Sequence, residues 1–329
     1  MRLYYYLFLF NNLETMAETI LLLGAGGQIG SELATMYNEQ YNKKNVILSD
    51  VKPLEVDQES YELDVLDFEK LDNLISKLRP TILLHLPAVL SAKGESIPQK
   101  AWQINMQGLL NTLESAKNNN VAKIFYPSSI AVFGNTTPKL NTPQHTINEP
   151  TTVYGISKYA GEMWVQYYNE KYNMDIRGLR FPGVISYKTK PGGGTTDYAV
   201  DIFYHALQGK KYTCFLNENT RLPMMYMPDA LQAVHKLMTC DKAKLNIKSA
   251  YNLHSMSFTP AELYNAIKKI IPNIEIEYQP DMRQQIADSW VHSIDDAQSR
   301  TDWGWLPTYN LNTMVEDVIQ NLTQQLLDK

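Results

Sequence analysis

The sequence predicts an α/β fold, a doubly wound parallel (Rossmann) sheet with a smaller C-terminal substrate-binding lobe. Two observations carry this prediction. Short apolar runs alternate with longer stretches whose apolar residues recur every three or four positions, and a glycine-rich turn joins the first run to the first stretch. Such runs form buried parallel strands, and the stretches between them form crossover helices. A chain of 329 residues is long enough for one large α/β domain or for two smaller ones.

The predicted elements follow in chain order. Six apolar runs are the predicted strands: TILLLG, NVILSD, a short YELDV, TILLHLPA, KIFYPSS and DIRGLRFPGVI. Four stretches between them are the predicted helices: QIGSELATMYNEQY, DFEKLDNLISKL, PQKAWQINMQGLLNTLESAKNN and VYGISKYAGEMWVQYYNEKY. After about residue 185 the pattern changes to mixed short elements, beginning with a glycine-rich loop.

Charge and cysteine content exclude several classes of protein. The net charge at pH 7 is -5, so there is no basic excess to release counterions from nucleic acid or an anionic membrane. The two cysteines, Cys214 and Cys240, are too few for a disulfide framework and lack metal-ligand spacing. We therefore expect no nucleic-acid partner, no membrane partner and no metal. The expected location is cytoplasmic, or the mitochondrial matrix if the source is eukaryotic.

Residues 1–17 are predicted to be an N-terminal extension. Arg2 precedes eight apolar residues, a run too short to span a bilayer and without the small-residue cleavage site of a signal peptide. We expect the working protein to begin near Met16.

The first chemical motif is the glycine-rich turn GAGGQIG after the first predicted strand. Gly24, Gly27 and Gly30 allow a tight turn and let a pyrophosphate approach the amides at the start of the next helix. The next strand ends on Asp50, twenty residues beyond Gly30, where a carboxylate would bind the adenosine ribose hydroxyls. A carboxylate there repels a 2′-phosphate, so the pattern predicts NAD rather than NADP. Capping of a loop is the other role open to Asp50.

A second acid, Asp64, follows the third predicted strand. It could bind the adenine amino group or N-cap the next helix. With the glycine motif, this organisation predicts an NAD-binding Rossmann domain over residues 18–184, which also carries the catalytic residues. Residues 185–329 are expected to form mainly a substrate-binding lobe, with some segments returning to the first domain.

Catalytic residues are predicted in TVYGISKYAGE and just before it. Tyr154 and Lys158 are four residues apart and share one helix face. A tyrosine of ordinary pKa is a poor base, but a nearby lysine ammonium and the positive ring of oxidised NAD favour its phenolate. Ser128 and Ser129 end a predicted strand, at the sheet edge where ligands bind in this architecture. A surface pair on an amphipathic helix is the alternative for the tyrosine and lysine.

The chain resembles the extended short-chain dehydrogenase/reductase family over most of residues 19–310. The segments that carry the resemblance are GAGGQIGSEL, HLPAVLSAKGE, PSSIAVFG, TVYGISK, LRFPGVIS, PGGGTTDYAV and LPMMYMPDAL. Within that family it is most similar to the short-chain type of L-threonine 3-dehydrogenase. The resemblance implies NAD-dependent oxidation of L-threonine at C3 to 2-amino-3-oxobutanoate, in threonine catabolism. It also implies a homodimer formed through the two long helices, near residues 98–118 and 153–172.

The resemblance also implies roles for individual residues. The implied catalytic residues are Ser129, Tyr154 and Lys158. The expected cofactor-binding residues are Gly24, Gly27, Gln28, Ile29, Gly30, Asp50, Asp64, Val65, Leu86, Pro87, Ala88, Asn105, Tyr154, Lys158 and Pro182. The expected substrate-binding residues are Ser91, Ser129, Tyr154, Thr195 and Thr196. Alternatively, Thr195 would cap a helix that opens at Asp197, and Trp290 would either line the pocket or lie in the core or at the surface.

Two other functions stay open. Sugar-nucleotide epimerases and dehydratases of the same superfamily share the cofactor-binding half of the chain. They usually bind the nucleotide diphosphate with an asparagine where this chain has Gly183 and an arginine where it has Leu222, although Arg221 is adjacent. This difference favours a small substrate. The other possibility is a dinucleotide-sensing binding module without catalysis, a class that typically lacks the tyrosine and lysine.

Overall fold

The computed structural model describes residues 18–189 and 192–327, so the predicted N-terminal extension lies outside the described residues. The strands are β1 (Ile20–Leu23), β2 (Val46–Asp50), β3 (Ser60–Glu62), β4 (Ile82–His85), β5 (Lys123–Ser129), β6 (Ile176–Phe181), β7 (Gly183–Ile185), β8 (Tyr212–Cys214), β9 (Leu222–Tyr226), β10 (Tyr251–Asn252), β11 (Met256–Phe258) and β12 (Ile276–Tyr278). The helices are α1 (Gln28–Gln40), α2 (Phe68–Leu78), α3 (Ser91–Ser96), α4 (Pro98–Trp102), α5 (Gly108–Asn118), α6 (Val153–Tyr172), α7 (Tyr198–Leu207), α8 (Met227–Thr239), α9 (Pro260–Lys268), α10 (Met282–Ser289), α11 (Ala297–Trp303) and α12 (Leu311–Leu327). A π-helical turn, Gln103–Gln107, joins α4 to α5.

A seven-stranded sheet forms the centre of the molecule, in the order β10-β6-β5-β4-β1-β2-β3. All its neighbouring strands are parallel. The order reverses between β1 and β4, which creates the crevice where ligands bind in doubly wound sheets. The predicted Rossmann fold is therefore confirmed.

Strand β1 shows why the sheet strands are continuously apolar. Ile20 and Leu22 pack into one apolar cluster with α1, whereas Leu21 and Leu23 pack into a second cluster on the opposite face. Successive side chains of a strand point to opposite faces, so a strand covered by helices on both sides needs an apolar residue at every position.

Two features of the strands differ from the predicted pattern. The predicted strand DIRGLRFPGVI is divided at Pro182 into β6, in the central sheet, and β7, in a three-stranded sheet with β9 and β11. Proline has no N–H to donate to a strand neighbour, so the ladder ends there. The central sheet also has a seventh strand, β10, which contributes only two residues and pairs with β6. A run of two residues is too short for a periodicity argument to detect.

A third apolar cluster forms the core of the C-terminal lobe and contains residues of α7, α9, α10 and α12. It also includes Ile130 and Val132, which directly follow β5. This packing places the lobe against the carboxyl end of β5. Within residues 18–189 and 192–327, the helices are all too short or too polar to cross a membrane.

Candidate active site

The glycine-rich turn is packed too closely to admit side chains at two positions. Gly24 has a φ of +77°, and a Cβ on it would lie 2.8 Å from the Pro87 nitrogen. A Cβ on Gly30 would lie 2.4 Å from the carbonyl oxygen of Gly24. Gly27 is the N-cap residue of α1 and has no side chain to bond the first amides of the helix. The turn therefore leaves an anion free to approach the N-terminus of α1, as a dinucleotide pyrophosphate requires.

Asp50 ends β2 and faces this turn. Its Oδ2 accepts a hydrogen bond from the Gly26 amide at 2.9 Å, and its Oδ1 accepts one from the Lys52 amide at 3.2 Å. Each carboxylate oxygen has a further lone pair, so Asp50 can orient the turn and still accept a bond from a ribose hydroxyl.

Asp64 does not cap the helix that follows it. Its Oδ1 accepts a hydrogen bond from the Leu66 amide at 2.9 Å, whereas the N-cap of α2 is Asp67. Val65 is held by Asn111, whose Nδ2 donates to the Val65 carbonyl at 2.9 Å. The capping alternative is therefore wrong, and the adenine-binding role stays a prediction.

Asn105 joins two parts of the predicted site from the π-helical turn. Its Oδ1 accepts from the Val89 amide at 2.8 Å, and its Nδ2 donates to Ser157 Oγ at 3.0 Å. Ser157 Oγ in turn donates to the Tyr154 carbonyl at 2.7 Å. The loop after β4, which carries Leu86, Pro87 and Ala88, is thereby tied to α6.

One cavity of about 150 Å³ brings together all the predicted catalytic and substrate-binding residues. Its lining includes Ser91, Ser129, Tyr154, Lys158, Thr195 and Thr196, and also five expected cofactor-binding residues, Gln28, Ile29, Leu86, Ala88 and Pro182. The other expected cofactor-binding residues do not line it: Gly24, Gly27, Gly30, Asp50, Asp64, Val65, Pro87 and Asn105.

Two side chains cap the N-terminus of helix α6, next to Tyr154. The hydroxyl of Thr152 accepts from the Gly155 amide at 3.0 Å, and the carboxylate of Glu95 accepts from the Val153 amide at 2.9 Å. A carboxylate at a helix N-terminus also complements the helix dipole. These two acceptors fix the start of the helix and with it the position of Tyr154.

Burial controls the ionisation of Tyr154 and Lys158. The Lys158 ammonium lies 5.6 Å from the centre of the Tyr154 ring and donates to the Pro127 carbonyl at 2.6 Å. Burial raises the pKa of Tyr154 to about 12, and the Ser129 hydroxyl opposes this increase. Burial lowers the pKa of Lys158 to about 7, and the carboxylate of Glu162 opposes this decrease. Tyr154 can therefore lose its proton near neutral pH only if positive charge is close to it.

Ser91 and Thr195 meet in the wall of the cavity. Their hydroxyls are 3.0 Å apart, and Ser91 Oγ accepts a hydrogen bond from the Thr195 amide at 3.3 Å. Both side chains are buried. The N-cap of α7 is Asp197, so Thr195 is part of the cavity wall and is not a helix cap.

Asp197 lines the cavity, whereas the sequence analysis named it only as the start of a helix. Its Oδ2 accepts hydrogen bonds from the amides of Gly193 and Gly194, both at 2.8 Å. Burial raises the pKa of Asp197, and these glycine amides oppose the increase. An acid directly after the sequence GGGTT, at the start of a predicted helix, was the signal available for it.

Trp290 forms the cavity wall on the side of the C-terminal lobe. It is buried, packs in the core of that lobe and also lines the cavity, so it is both a core residue and a pocket residue. The Lys139 ammonium donates to the carbonyls of Ser289 and Trp290, at 2.8 and 2.9 Å. Lys139 and Trp290 are 151 residues apart in sequence, and no local pattern connects them.

The cavity has no room for a side chain at position 183. A Cβ on Gly183 would lie 2.6 Å from Thr196 Cγ2 and 2.6 Å from Met224 Sδ. Arg221 does not line the cavity, because it donates to the Ser257 carbonyl at 2.9 Å and pairs with Glu262. Arg221 therefore does not take the place of the arginine that sugar-nucleotide enzymes have at position 222.

Comparison of the sequence with known proteins identifies the family to which the chain belongs. Residues 20–253 match the sequence profile of the NAD dependent epimerase/dehydratase family. An uncharacterized epimerase/dehydratase of Staphylococcus aureus (strain USA300) is 44% identical over 314 residues, which cover 94% of this chain and 98% of the relative.

Two solved structures are similar to the chain over nearly its whole length. The holo form of a GalE-like L-threonine dehydrogenase from Cupriavidus necator has a TM-score of 0.91 and 51% identity, covering 92% of this chain and 99% of that one. An L-threonine dehydrogenase from Clostridium difficile has a TM-score of 0.91 and 44% identity, covering 94% of this chain and 98% of that one.

Proposed function

Because the chain belongs to the NAD dependent epimerase/dehydratase family, we propose that it is an NAD-dependent oxidoreductase that converts L-threonine to 2-amino-3-oxobutanoate. The observation that carries this proposal is the cavity itself. It places Ser129, Tyr154 and Lys158 beside buried hydroxyls in about 150 Å³, far less than the several hundred cubic ångströms of a typical ligand pocket. The similarity to two L-threonine dehydrogenase structures supports the same substrate.

The glycine turn and Asp50 fit NAD. A turn that excludes Cβ atoms at Gly24 and Gly30 would hold the pyrophosphate at the start of α1, and Asp50 would bind the adenosine ribose. Bound NAD would supply the hydride acceptor that oxidation at C3 of the substrate requires. Asp50 disfavours NADP, because its carboxylate repels a 2′-phosphate.

The proton of the substrate hydroxyl is transferred to Tyr154 Oη. Protonated Lys158 stabilises the phenolate that must form first, since burial alone would keep the tyrosine neutral. Ser129 orients and polarises the reacting oxygen. The cavity is small, and Trp290 forms part of its wall.

The cavity also offers partners for both charged groups of an amino acid. Among the described residues that line it, Asp197 is the only carboxylate, and it complements the substrate ammonium. The hydroxyl of Thr196 can donate to the substrate carboxylate, as can whichever of the Ser91 and Thr195 hydroxyls does not donate to the other. A nucleoside diphosphate sugar would need a larger cavity and, for its diphosphate, a cation in addition to Lys158.

Formation of NADH by the purified protein tests the proposal. L-threonine and a UDP-sugar are compared in parallel, with Tyr154→Phe as the matched control because it removes only the hydroxyl. We expect NADH with L-threonine and not with the UDP-sugar. An epimerase or dehydratase regenerates NAD in each turnover, so conversion of the UDP-sugar is followed by chromatography of the sugar nucleotide. Its conversion would favour the epimerase/dehydratase alternative, and cofactor binding without any turnover would favour a binding module.

We also propose a homodimer formed through α6 and the segment from α4 to the end of α5. Met163, Trp164 and Tyr167 on α6 and Trp102 at the end of α4 are each about 40% exposed, which is unusual for large apolar side chains. Light scattering should give twice the mass of one chain, and Trp164→Glu should give a monomer. A wild-type monomer would contradict the proposal.

We place the protein in the cytoplasm, because both of its cysteines are free thiols. Fractionation of the source cells tests this location.

A further inference from the structure

We propose that Glu162, which lies outside the cavity lining, is a positioning residue of the reaction. Its single carboxylate maintains the charge on Lys158 and also fixes the end of β5, which carries Ser129. The kinetic part of this inference rests on the proposed threonine oxidation.

Glu162 is fully buried between α6 and the central sheet. It lies one helical turn after Lys158 and two turns after Tyr154. Ser128 Oγ donates to Glu162 Oε1 at 2.5 Å. Arg180 of β6 donates to both carboxylate oxygens, from Nε at 2.9 Å and from Nη2 at 2.7 Å. Three donors from two strands therefore hold the carboxylate in one orientation.

These bonds fix the strand end that carries the reacting groups. Pro127, Ser128 and Ser129 are the last three residues of β5. The Pro127 carbonyl accepts from Lys158, and the Ser128 hydroxyl donates to Glu162, so two residues of α6 hold this strand end in register with the helix. These two hydrogen bonds therefore fix the position of Ser129 relative to Tyr154, although neither Ser129 nor Tyr154 takes part in them.

Glu162 differs in charge from the other titratable groups that surround Lys158. His85 of β4 stays neutral, because burial and the Lys158 charge lower the pKa of its imidazole to about 3. The rings of Tyr126 on β5 and Tyr154 on α6 lie 5.1 and 5.6 Å from the Lys158 ammonium, and burial raises the pKa of both phenols.

Arg180 on β6 is a second cation in this group, paired with Glu162. Among the described residues whose charges act on the pKa of Lys158, Glu162 is the one that raises it. Loss of its negative charge should therefore release the Lys158 proton at lower pH and weaken the support for the Tyr154 phenolate.

The same strand provides a matched control. Arg177, also on β6 and also buried, pairs through Nη2 with Asp175 at 2.7 Å. Its other guanidinium nitrogen donates to carbonyls at the end of α8, including that of Leu237 at 2.5 Å. Asp175→Asn thus removes a carboxylate from a buried arginine pair without touching the Lys158 environment.

The first experiment compares Glu162→Gln with Asp175→Asn by measuring kcat/KM for L-threonine against pH at saturating NAD. Glutamine keeps a hydrogen-bonding group of the same size but loses the charge. We expect the rising limb of the Glu162→Gln profile to move up by about 0.5–1 pH unit, which reduces the activity at neutral pH by about three- to tenfold. Asp175→Asn should be less stable but keep the wild-type profile. Equal profiles for all three proteins would overturn the proposal.

The second experiment measures Lys158 directly in the protein without substrate or cofactor. Carbon NMR of isotope-labelled lysine follows its titration, and the resonance is assigned by its absence in Lys158→Met. We expect a lower pKa in Glu162→Gln and no change in Asp175→Asn. If Glu162→Gln folds poorly, the double variant Glu162→Gln/Arg180→Met is compared with Arg180→Met alone, so that only the Glu162 charge differs, and the pKa of Lys158 should be lower in the double variant.

A Lys158 titration that is unchanged in Glu162→Gln relative to wild type, or in the double variant relative to Arg180→Met, would overturn the proposal. Since this readout needs no threonine, it separates failure of this inference from failure of the proposed function.

Discussion

Replacing Lys158 by methionine should abolish catalysis and yet stabilise the folded protein. A lysine has an ordinary pKa of 10.5, and burial lowers that of Lys158 to about 7. The difference between these two pKa values corresponds to about 5 kcal/mol. The free energy of unfolding is lower by this amount when Lys158 is protonated in the folded protein. Methionine has nearly the same length and no charge, so it avoids this cost.

The stabilisation should depend on pH in a defined direction. Below pH 7 the lysine is charged in both states, and the full cost of about 5 kcal/mol applies. Between pH 7 and 10.5 the folded state is neutral while the unfolded state binds a proton, so wild-type stability rises with pH. At about pH 9 the buried lysine lowers the free energy of unfolding by only about 2 kcal/mol. The advantage of Lys158→Met should therefore shrink by about 3 kcal/mol between about pH 6 and about pH 9.

Urea unfolding of wild type and Lys158→Met at these two pH values measures the difference, and any packing change from methionine cancels in the comparison. Lys44→Met, at an exposed position, is the control and should give the same small effect at both pH values. An advantage of Lys158→Met that is equal at both pH values would show that Lys158 is not destabilised by burial, and the electrostatic account of the site would fail.

Three further variants test separate parts of the site. Tyr154→Phe should lower kcat by about 10²-fold or more while NADH fluorescence titration shows nearly unchanged affinity, and activity within a few-fold of wild type would refute the base assignment. Asp50→Asn should narrow the preference for NAD over NADP in kcat/KM, because it removes the charge that repels a 2′-phosphate, and an unchanged ratio would show that Asp50 serves only the turn. Thr196→Ala should lower kcat/KM for threonine by a factor that corresponds to about 1–3 kcal/mol of lost transition-state stabilisation, with little effect on NAD affinity. Wild-type kinetics with a lower Tm would show that this threonine is purely structural.

The sequence alone determined six of the seven strands of the central sheet and the helix that carries the reacting pair. Strands covered on both faces must be apolar at every position, and helices must repeat every three to four residues, so both leave local patterns. Tyr154 and Lys158 share a helix face for the same local reason. The glycine turn was also recognisable, because only glycine fits where Gly24 and Gly30 approach neighbouring backbone.

The division at Pro182 shows where local reasoning was incomplete. The proline was visible in the sequence, but the apolar run around it suggested one strand, and only the tertiary structure shows that β7 leaves the central sheet to pair with β9. Strand β10 was equally inaccessible, since its two residues are defined by their pairing with β6 and not by a pattern of their own.

The substrate side of the cavity and its electrostatics were decided by tertiary structure. Trp290 reaches the cavity because Lys139, 151 residues earlier, holds its backbone, and Glu162 meets an arginine 18 residues later on another element. The pKa values of Tyr154 and Lys158 follow from burial, which no local pattern specifies. Helix and strand periodicity record which face of an element is apolar, whereas the charge and shape of a site depend on groups that only folding brings within a few ångströms of each other.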